Sequence, residues 1–252
     1  IIANSASGGA LIGLIIGIYD HRQQYAQLKA NRLTQQVTIL NRVLRHDIRN
    51  KANVIFGHAD ILAEDPTDIP SHVNEIKNQA TEFVEIGDKA KEIETLLHDD
   101  KNGNEVVDLA SRVETICSGI QREYPSAELT ISLPERLPVI AHPLIDSALS
   151  NLIQNAIIHN NKQKPKVTIE YKSIVDENHD LIEIRIADNG PGIPNDQINV
   201  LTQGYETDLN HLSGLGLWLV NWIVMKSDGE IRFQNNQPEG SIVCMRFRQA
   251  DH

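Results

Sequence analysis

The chain has 252 residues, 40% of them hydrophobic but only 4% aromatic, so it has room for one or two domains with aliphatic cores. Its formal charge is −11, from 34 acidic against 23 basic residues, and no basic patch stands out to neutralise phosphates, which disfavours nucleic acid as the main partner. Cys117 and Cys244 lie far apart without a CxxC spacing and read as reduced core residues, not as a redox pair or metal ligands.

Residues 1–18 read IIANSASGGALIGLIIGI and carry no charge. The length is near the lower limit for a spanning helix, and the small residues suit close helix packing in lipid. His21, Arg22, Lys29 and Arg32 follow, as expected on the cytoplasmic side of a span. The sequence therefore predicts the end of a transmembrane segment over 1–18, against the alternative of a buried core helix. A start at Ile1 without methionine fits a piece of something longer, and the expected location is the cell membrane, with residues from about 19 onward cytoplasmic. Residues 19–40 are polar, rich in Gln, Lys and Arg, and read as a linker helix.

A long amphipathic run covers residues 33–64. Leu33, Val37, Leu40, Leu44, Ile48, Ile55 and Leu62 recur at steps of three and four or their multiples, which is one narrow helical stripe. His46 and Asp47 sit just off it, and Asn50 follows His46 by one turn. An imidazole, a neighbouring carboxylate and an amide one turn on supply a nucleophile, an orienting base and a water-positioning group. Asp65-Pro66 and Pro70 end this helix, and a second is predicted from Ser71 as cap residue. Its stripe runs Val73, Ile76, Ala80, Phe83, Gly87, Ala90 and Leu97. Two such helices make an antiparallel hairpin over 41–98 whose apolar face is too long to stay wet. Pairing two hairpins into a four-helix bundle predicts a homodimer, against the alternative of a monomeric hairpin packed on the next domain.

The polar stretch 99–104 marks a boundary. Beyond it, strands are predicted at 105–107, 129–133, 138–141, 167–174 and 181–187, with helices at 109–124, 143–160 and 215–226. A closing hairpin follows at 230–234 and 241–247. Helices and strands interleaved without strict βαβ regularity predict an α/β sandwich with a mixed sheet and helices on one face, over 99–252. The fold class as a whole is multidomain, an α-helical hairpin followed by this sandwich.

Three segments of the second domain carry chemistry. Asn151 and Asn155 share a helical face, and two amide oxygens aimed together suit a hard cation such as Mg²⁺. Asp188-Asn189-Gly190-Pro191-Gly192 follows a strand; its glycines let the backbone turn close to a ligand, and Asp188 can accept from an exocyclic amine. Ser213-Gly214-Leu215-Gly216-Leu217 opens an apolar helix, where backbone N–H groups and the helix dipole favour phosphate. Neither a Walker loop nor a dinucleotide fingerprint fits that segment. The roughly twenty residues before it, with Gly204, Tyr205, Thr207 and His211, read as a lid over the ligand.

His46-Asp47-x-Arg49-Asn50, Asn151-x-x-x-Asn155, Asp188-x-Gly190-x-Gly192 and Gly214-x-Gly216-Leu217, in this order and at these separations, resemble the histidine, asparagine and two glycine boxes of sensor histidine kinases. The resemblance covers about residues 20–248, and the wording around His46 looks most like haloarchaeal members. It implies a dimerisation and phosphotransfer hairpin followed by a Bergerat-type ATP-binding domain. It implies His46 as phosphoacceptor, Asp47 as its orienting base, Asn155 holding Mg²⁺ with Asn151 nearby, and Asp188 reading the adenine amine. Gly190, Gly192, Gly214, Gly216 and Leu217 would shape the ATP pocket. The implied partner is a response-regulator receiver domain, whose aspartate takes the phosphoryl group; Asn50 stands where the family places a group for dephosphorylating that partner. Many members carry Lys or Arg three residues after the second asparagine, where this chain has Ile158, and Lys162, Lys164 or His211 are the alternative cations. Two rival classes are a Bergerat-type ATPase doing mechanical work and a degenerate kinase serving as an ATP-responsive dimeric scaffold.

Overall fold

The computed structural model describes residues 3–64, 68–98, 103–175, 180–194, 198 and 215–250. In chain order these form α1 (Ala3–Glu64), α2 (Ile69–His98), β1 (Glu105–Asp108), α3 (Leu109–Glu123), β2 (Glu128–Ser132), β3 (Pro138–Ala141), α4 (Ile145–Ile158), β4 (Lys166–Val175), β5 (Asp180–Asp188), α5 (Leu215–Lys226), β6 (Glu230–Asn235) and β7 (Ser241–Gln249). The chain divides into two compact units, residues 1–49 and 50–252, and the division falls inside α1.

In the first unit the helix is continuous from Ala3, so the helices expected over 1–18 and 19–40 run without a break into the amphipathic run. Among the described residues no helix is long and apolar enough to cross a membrane. The span expected over 1–18 includes residues 1 and 2, which lie outside the described residues. The buried positions near the end of this unit are Ile39 and Val43, one turn apart, while Val37 and Ile48 of the predicted stripe are exposed.

In the second unit, α1 residues from Asn50 onward and α2 form the predicted hairpin, tied by a Lys51–Glu82 ion pair and by a contact between His58 and His72. The first helix ends at Glu64, as the Asp65-Pro66 pair requires. The second starts at Ile69, two residues before the predicted Ser71 cap, because Pro70 fits the first turn, where no helical N–H bond is owed. Its buried residues are Ile86, Ile93 and Leu96, offset from the predicted stripe, of which Val73, Ile76, Phe83, Ala90 and Leu97 are only half-buried and Ala80 and Gly87 exposed. The offset has a cause: α2 packs against α5, an element far away in sequence.

The rest of the unit is the predicted α/β sandwich. Its sheet runs β1-β3-β7-β5-β4-β2, with β6 also on β7, and it is mixed: β2 and β4 pair in parallel and the other neighbours are antiparallel. Helices α3, α4 and α5 lie side by side against it. Period-two alternation sorts β5. Ile182, Ile184 and Ile186 are buried, and Glu183 and Arg185 stand on the opposite face of the strand. There Glu183 accepts from Arg246 at 2.6 Å, and Arg185 pairs with Glu170 at 3.0 Å. Farther along, Arg232 holds the Glu230 carboxyl below the usual carboxylate range. A ladder of opposite charges thus covers the face that carries no helix. Asp108 caps α3, accepting from Ala110 N at 3.2 Å, and also accepts from Leu137 N at 2.8 Å, so one carboxylate joins β1, α3 and the entry to β3. Both cysteines are buried and unbridged, as predicted, and burial pushes the Cys117 thiol up to about 11.

Candidate functional site

The first piece of the site is α4. Its last turns carry Asn151 and Asn155 on one face because Leu149, Leu152 and Ile153 occupy the buried one. Asn151 is itself buried; its Nδ2 donates to Ser147 O at 2.8 Å, while its Oδ1 is buried without a hydrogen-bond partner. Asn155 is half-buried.

The second piece is the turn leaving β5. Asp188 Oδ1 accepts from Gly190 N at 2.7 Å, which closes the turn. Its Oδ2 accepts from the Ser241 hydroxyl and from Ser241 N at 3.3 Å. Ionised carboxylates offer about four acceptor positions, and three are taken here, which leaves one for a ligand donor. Gly192 has φ +86°, a conformation that favours glycine. Asn160, just past α4, donates to Asn189 Oδ1 at 2.9 Å, so the end of the asparagine helix is fastened to the Asp188 turn.

The third piece is the start of α5. A Cβ on Gly216 would stand 2.9 Å from Asn151 Oδ1 and 3.6 Å from Asn155 Nδ2, so only glycine lets this backbone lie against both amides. Leu217 beside it is buried. Gly214 and the predicted lid, with Gly204, Tyr205, Thr207 and His211, lie outside the described residues. The three segments chosen from sequence therefore meet. Between them they supply an orphaned amide oxygen, a carboxylate with one open acceptor position and a helix start without a side chain at Gly216. Oxygen donors of this kind suit Mg²⁺, and backbone N–H groups at a helix start suit phosphate, so the residues present fit a Mg-nucleotide.

Of the alternative cations, His211 is among the residues not described, and the two lysines are held by carboxylates. Lys162 pairs with Glu239, and Lys164 and Lys166 both pair with Glu128, at 3.1 and 3.3 Å, holding its carboxyl below the usual range. Ile158 is exposed where the family often has a cation. Sequence reasoning missed Ser241, Gly240 and Asn160. Gly240 has φ +114°, and a Cβ there would overlap the Asp188 carbonyl oxygen. The signal was Gly240-Ser241 at the head of the last strand, readable only once that strand is known to lie beside β5.

In the first unit, His46 Nδ1 lies 3.2 Å from Asp47 Oδ1. The histidine side chain is 46% exposed and the aspartate 14%, so the ring is reachable and its partner is held. A proton on Nδ1 donated to Asp47 leaves Nε2 as the nucleophilic nitrogen. Asn50, at the start of the second unit, is exposed.

Residues 142–251 match the family of histidine kinase-, DNA gyrase B-, and HSP90-like ATPases. Over longer stretches the chain is 27% identical to sensor protein CreC of Escherichia coli across 220 residues, covering 82% of this chain and 44% of that protein. It is 26% identical to the adaptive-response sensory kinase SasA of Synechocystis across 236 residues, 83% and 59% of the two chains. Over these stretches the chain is similar to sensor histidine kinases. Among solved structures, the histidine kinase AdeS of Acinetobacter baumannii shares the fold over 82% of this chain and 98% of that one, with a TM-score of 0.58 at 21% identity. The chain spans 44% of CreC and 59% of SasA, so these curated kinases are longer than the stretch matched here. Asn151, Asp188 and Gly216 all lie within the stretch that matches this ATPase family, where α4 touches the start of α5 and its end is fastened to the Asp188 turn.

Proposed function

We propose that the chain is the kinase portion of a two-component sensor, transferring the γ-phosphoryl group of ATP to His46 and from there to an aspartate of a response-regulator receiver domain. The observation that carries this reading is the convergence of Asn151, Asp188 and Gly216 in a domain related to histidine kinase ATPases, on a chain that also holds an exposed histidine braced by a carboxylate.

The roles follow from the chemistry of each group. Asp188, steadied by Gly190 and Ser241, accepts from the adenine amine. Gly190, Gly192 and Gly216 keep side chains out of the pocket, and Gly214 and Leu217 are carried as pocket residues by the resemblance alone. Asn155 would hold Mg²⁺, with Asn151 beside it, and the ion would supply neutralisation of phosphate charge. Nε2 of His46 forms the new N–P bond as the bond from the γ-phosphorus to the β–γ bridging oxygen breaks, and ADP leaves with that electron pair. The ring, now positively charged, gives its Nδ1 proton to Asp47 and is left neutral. Catalysis of this kind is positioning plus charge neutralisation. By the resemblance, Asn50 would orient a water for hydrolysis of the phosphorylated partner.

In this reading residues 41–98 are the dimerisation and phosphotransfer domain and 99–252 the catalytic domain, with 19–40 a signalling linker. Exposed Val54, Phe56, Ile61 and Val84 on the hairpin support its pairing into a dimeric four-helix bundle, since a second copy would cover them. Attachment to the cell membrane through 1–18, with the remainder cytoplasmic, is supported by the uncharged run and the basic residues after it.

The test is autophosphorylation of the chain with γ-labelled ATP and Mg²⁺, beside His46→Gln and Asn155→Ala. Acid-labile, base-stable label present in the wild type and absent from both variants is the expected result. ATP binding without label in a folded wild-type dimer overturns the kinase reading and leaves an ATP-responsive scaffold.

A further inference from the structure

His58 belongs to the last two turns of α1 and His72 to the first turn of α2, so the pair joins the two helices at the connected end of the hairpin. Their Nδ1 atoms are 2.7 Å apart, with ring centroids at 5.0 Å and planes inclined by 50°. Two nitrogens at that distance share one proton: one donates it and the other must present a lone pair. Replace the proton and both lone pairs converge on the same point, which is the donor arrangement of a chelate.

We propose that His58 and His72 form a binding site for a divalent transition-metal ion, of the zinc or nickel kind, that clamps the two helices of the hairpin. Imidazole nitrogen is the preferred ligand for these ions. Around a tetrahedral ion with metal–nitrogen bonds of about 2.0–2.1 Å, two ligands stand roughly 3.3 Å apart. The gap must therefore open by only about half an ångström, within reach of the side-chain torsions. Both residues are half-buried, so packing limits the rings while solvent still reaches them. The surrounding sequence favours a cation: between Lys51 and Lys77 the chain has Asp60, Glu64, Asp65, Asp68 and Glu75, and neither Lys nor Arg. Among the described residues no third His, Cys, Asp or Glu completes a cluster, so water fills the remaining positions. An ion held this way exchanges readily, unlike one in a closed structural site. Neither histidine takes part in the ATP site, and the proposal stands independently of the kinase reading.

The experiment is calorimetric titration of the chain with Zn²⁺ and with Ni²⁺, beside His58→Gln, His72→Gln, the double variant, and His21→Gln as an exposed histidine elsewhere. The wild type and His21→Gln should take up one equivalent that each single variant binds at least about tenfold more weakly, the least that loss of even an outer-shell partner commonly costs. Equal uptake by wild type and double variant, or loss in only one of the two single variants, overturns the site and leaves a hydrogen bond between two rings. Circular dichroism shows whether the variants keep their helices. If they do not, substoichiometric Ni²⁺ on wild-type chain with labelled histidines decides the matter. Selective broadening of the His58 and His72 ring signals supports the site, and broadening confined to other histidines overturns it.

Discussion

The hydroxyl of Ser241 donates to Asp188 Oδ2, so the first residue of the last strand fixes the carboxylate that ends β5. Hydrogen bonds to a charged group are worth about 1.5–3 kcal/mol. Ser241→Ala is expected to keep the fold and weaken Mg-ATP binding about tenfold by calorimetry, a loss of roughly 1.4 kcal/mol. Ser241→Thr, which keeps the hydroxyl, should restore most of it. Unchanged affinity in the alanine variant would show that Asp188 is held by its turn alone.

Two glycines of the site should respond differently to alanine. At Gly240 the backbone has φ +114° and a Cβ would overlap the Asp188 carbonyl oxygen, so Gly240→Ala should destabilise the domain by at least about 3 kcal/mol in denaturant. At Gly216 the added methyl meets the Asn151 amide oxygen, which a small shift of the amide can relieve. Gly216→Ala should therefore fold and lose nucleotide binding, and the two variants together separate scaffold from pocket.

Asp47→Asn leaves the His46 ring in place but cannot take its proton. Autophosphorylation is expected to slow by about a hundredfold or more, the usual scale for a lost acid–base partner, with ATP affinity unchanged. Wild-type rates in this variant would remove Asp47 from the mechanism.

Burial holds the Cys117 thiol at about 11, above the 9.0 of a solvated cysteine. Since the folded value is the higher one, the unfolded chain loses its proton first. The stabilisation is complete below pH 9 and disappears as pH rises toward 11. Urea unfolding at pH 8, 9.5 and 10.5 should show wild type losing more stability over that window than Cys117→Ala. Parallel curves would refute it.

Leu96 is 1% exposed near the end of α2, the helix that packs on α5. Leu96→Ala should cost about 2–5 kcal/mol, as for other large-to-small changes in a packed core. A change under 0.5 kcal/mol in the unfolding midpoint energy would mean that the α2 and α5 surfaces contribute little to stability.

Much of this could be read in advance where the signal is local. Alternation in β4 and β5, the asparagines one turn apart on α4 and the proline ending α1 each depend on near neighbours in the chain. The sandwich and the converging ATP-site segments follow from them. What stayed hidden depends on distant partners. Ile86, Ile93 and Leu96 are buried in α2, which packs on a helix about 120 residues further along the sequence, and no periodicity within α2 could select that face over the Val73–Phe83 stripe. Ser241 is an ordinary strand residue until the sheet order sets it against Asp188.

The helix α5 is buried along nearly its whole length, and the chain's two tryptophans, Trp218 and Trp222, both lie on it with ring centroids 5.7 Å apart. Indole emission from this protein thus originates in a single element, the one that touches α4, the sheet and α2. Native fluorescence needs no label to follow that junction: a shift to the red records water reaching α5, and a constant spectrum records that it stayed dry.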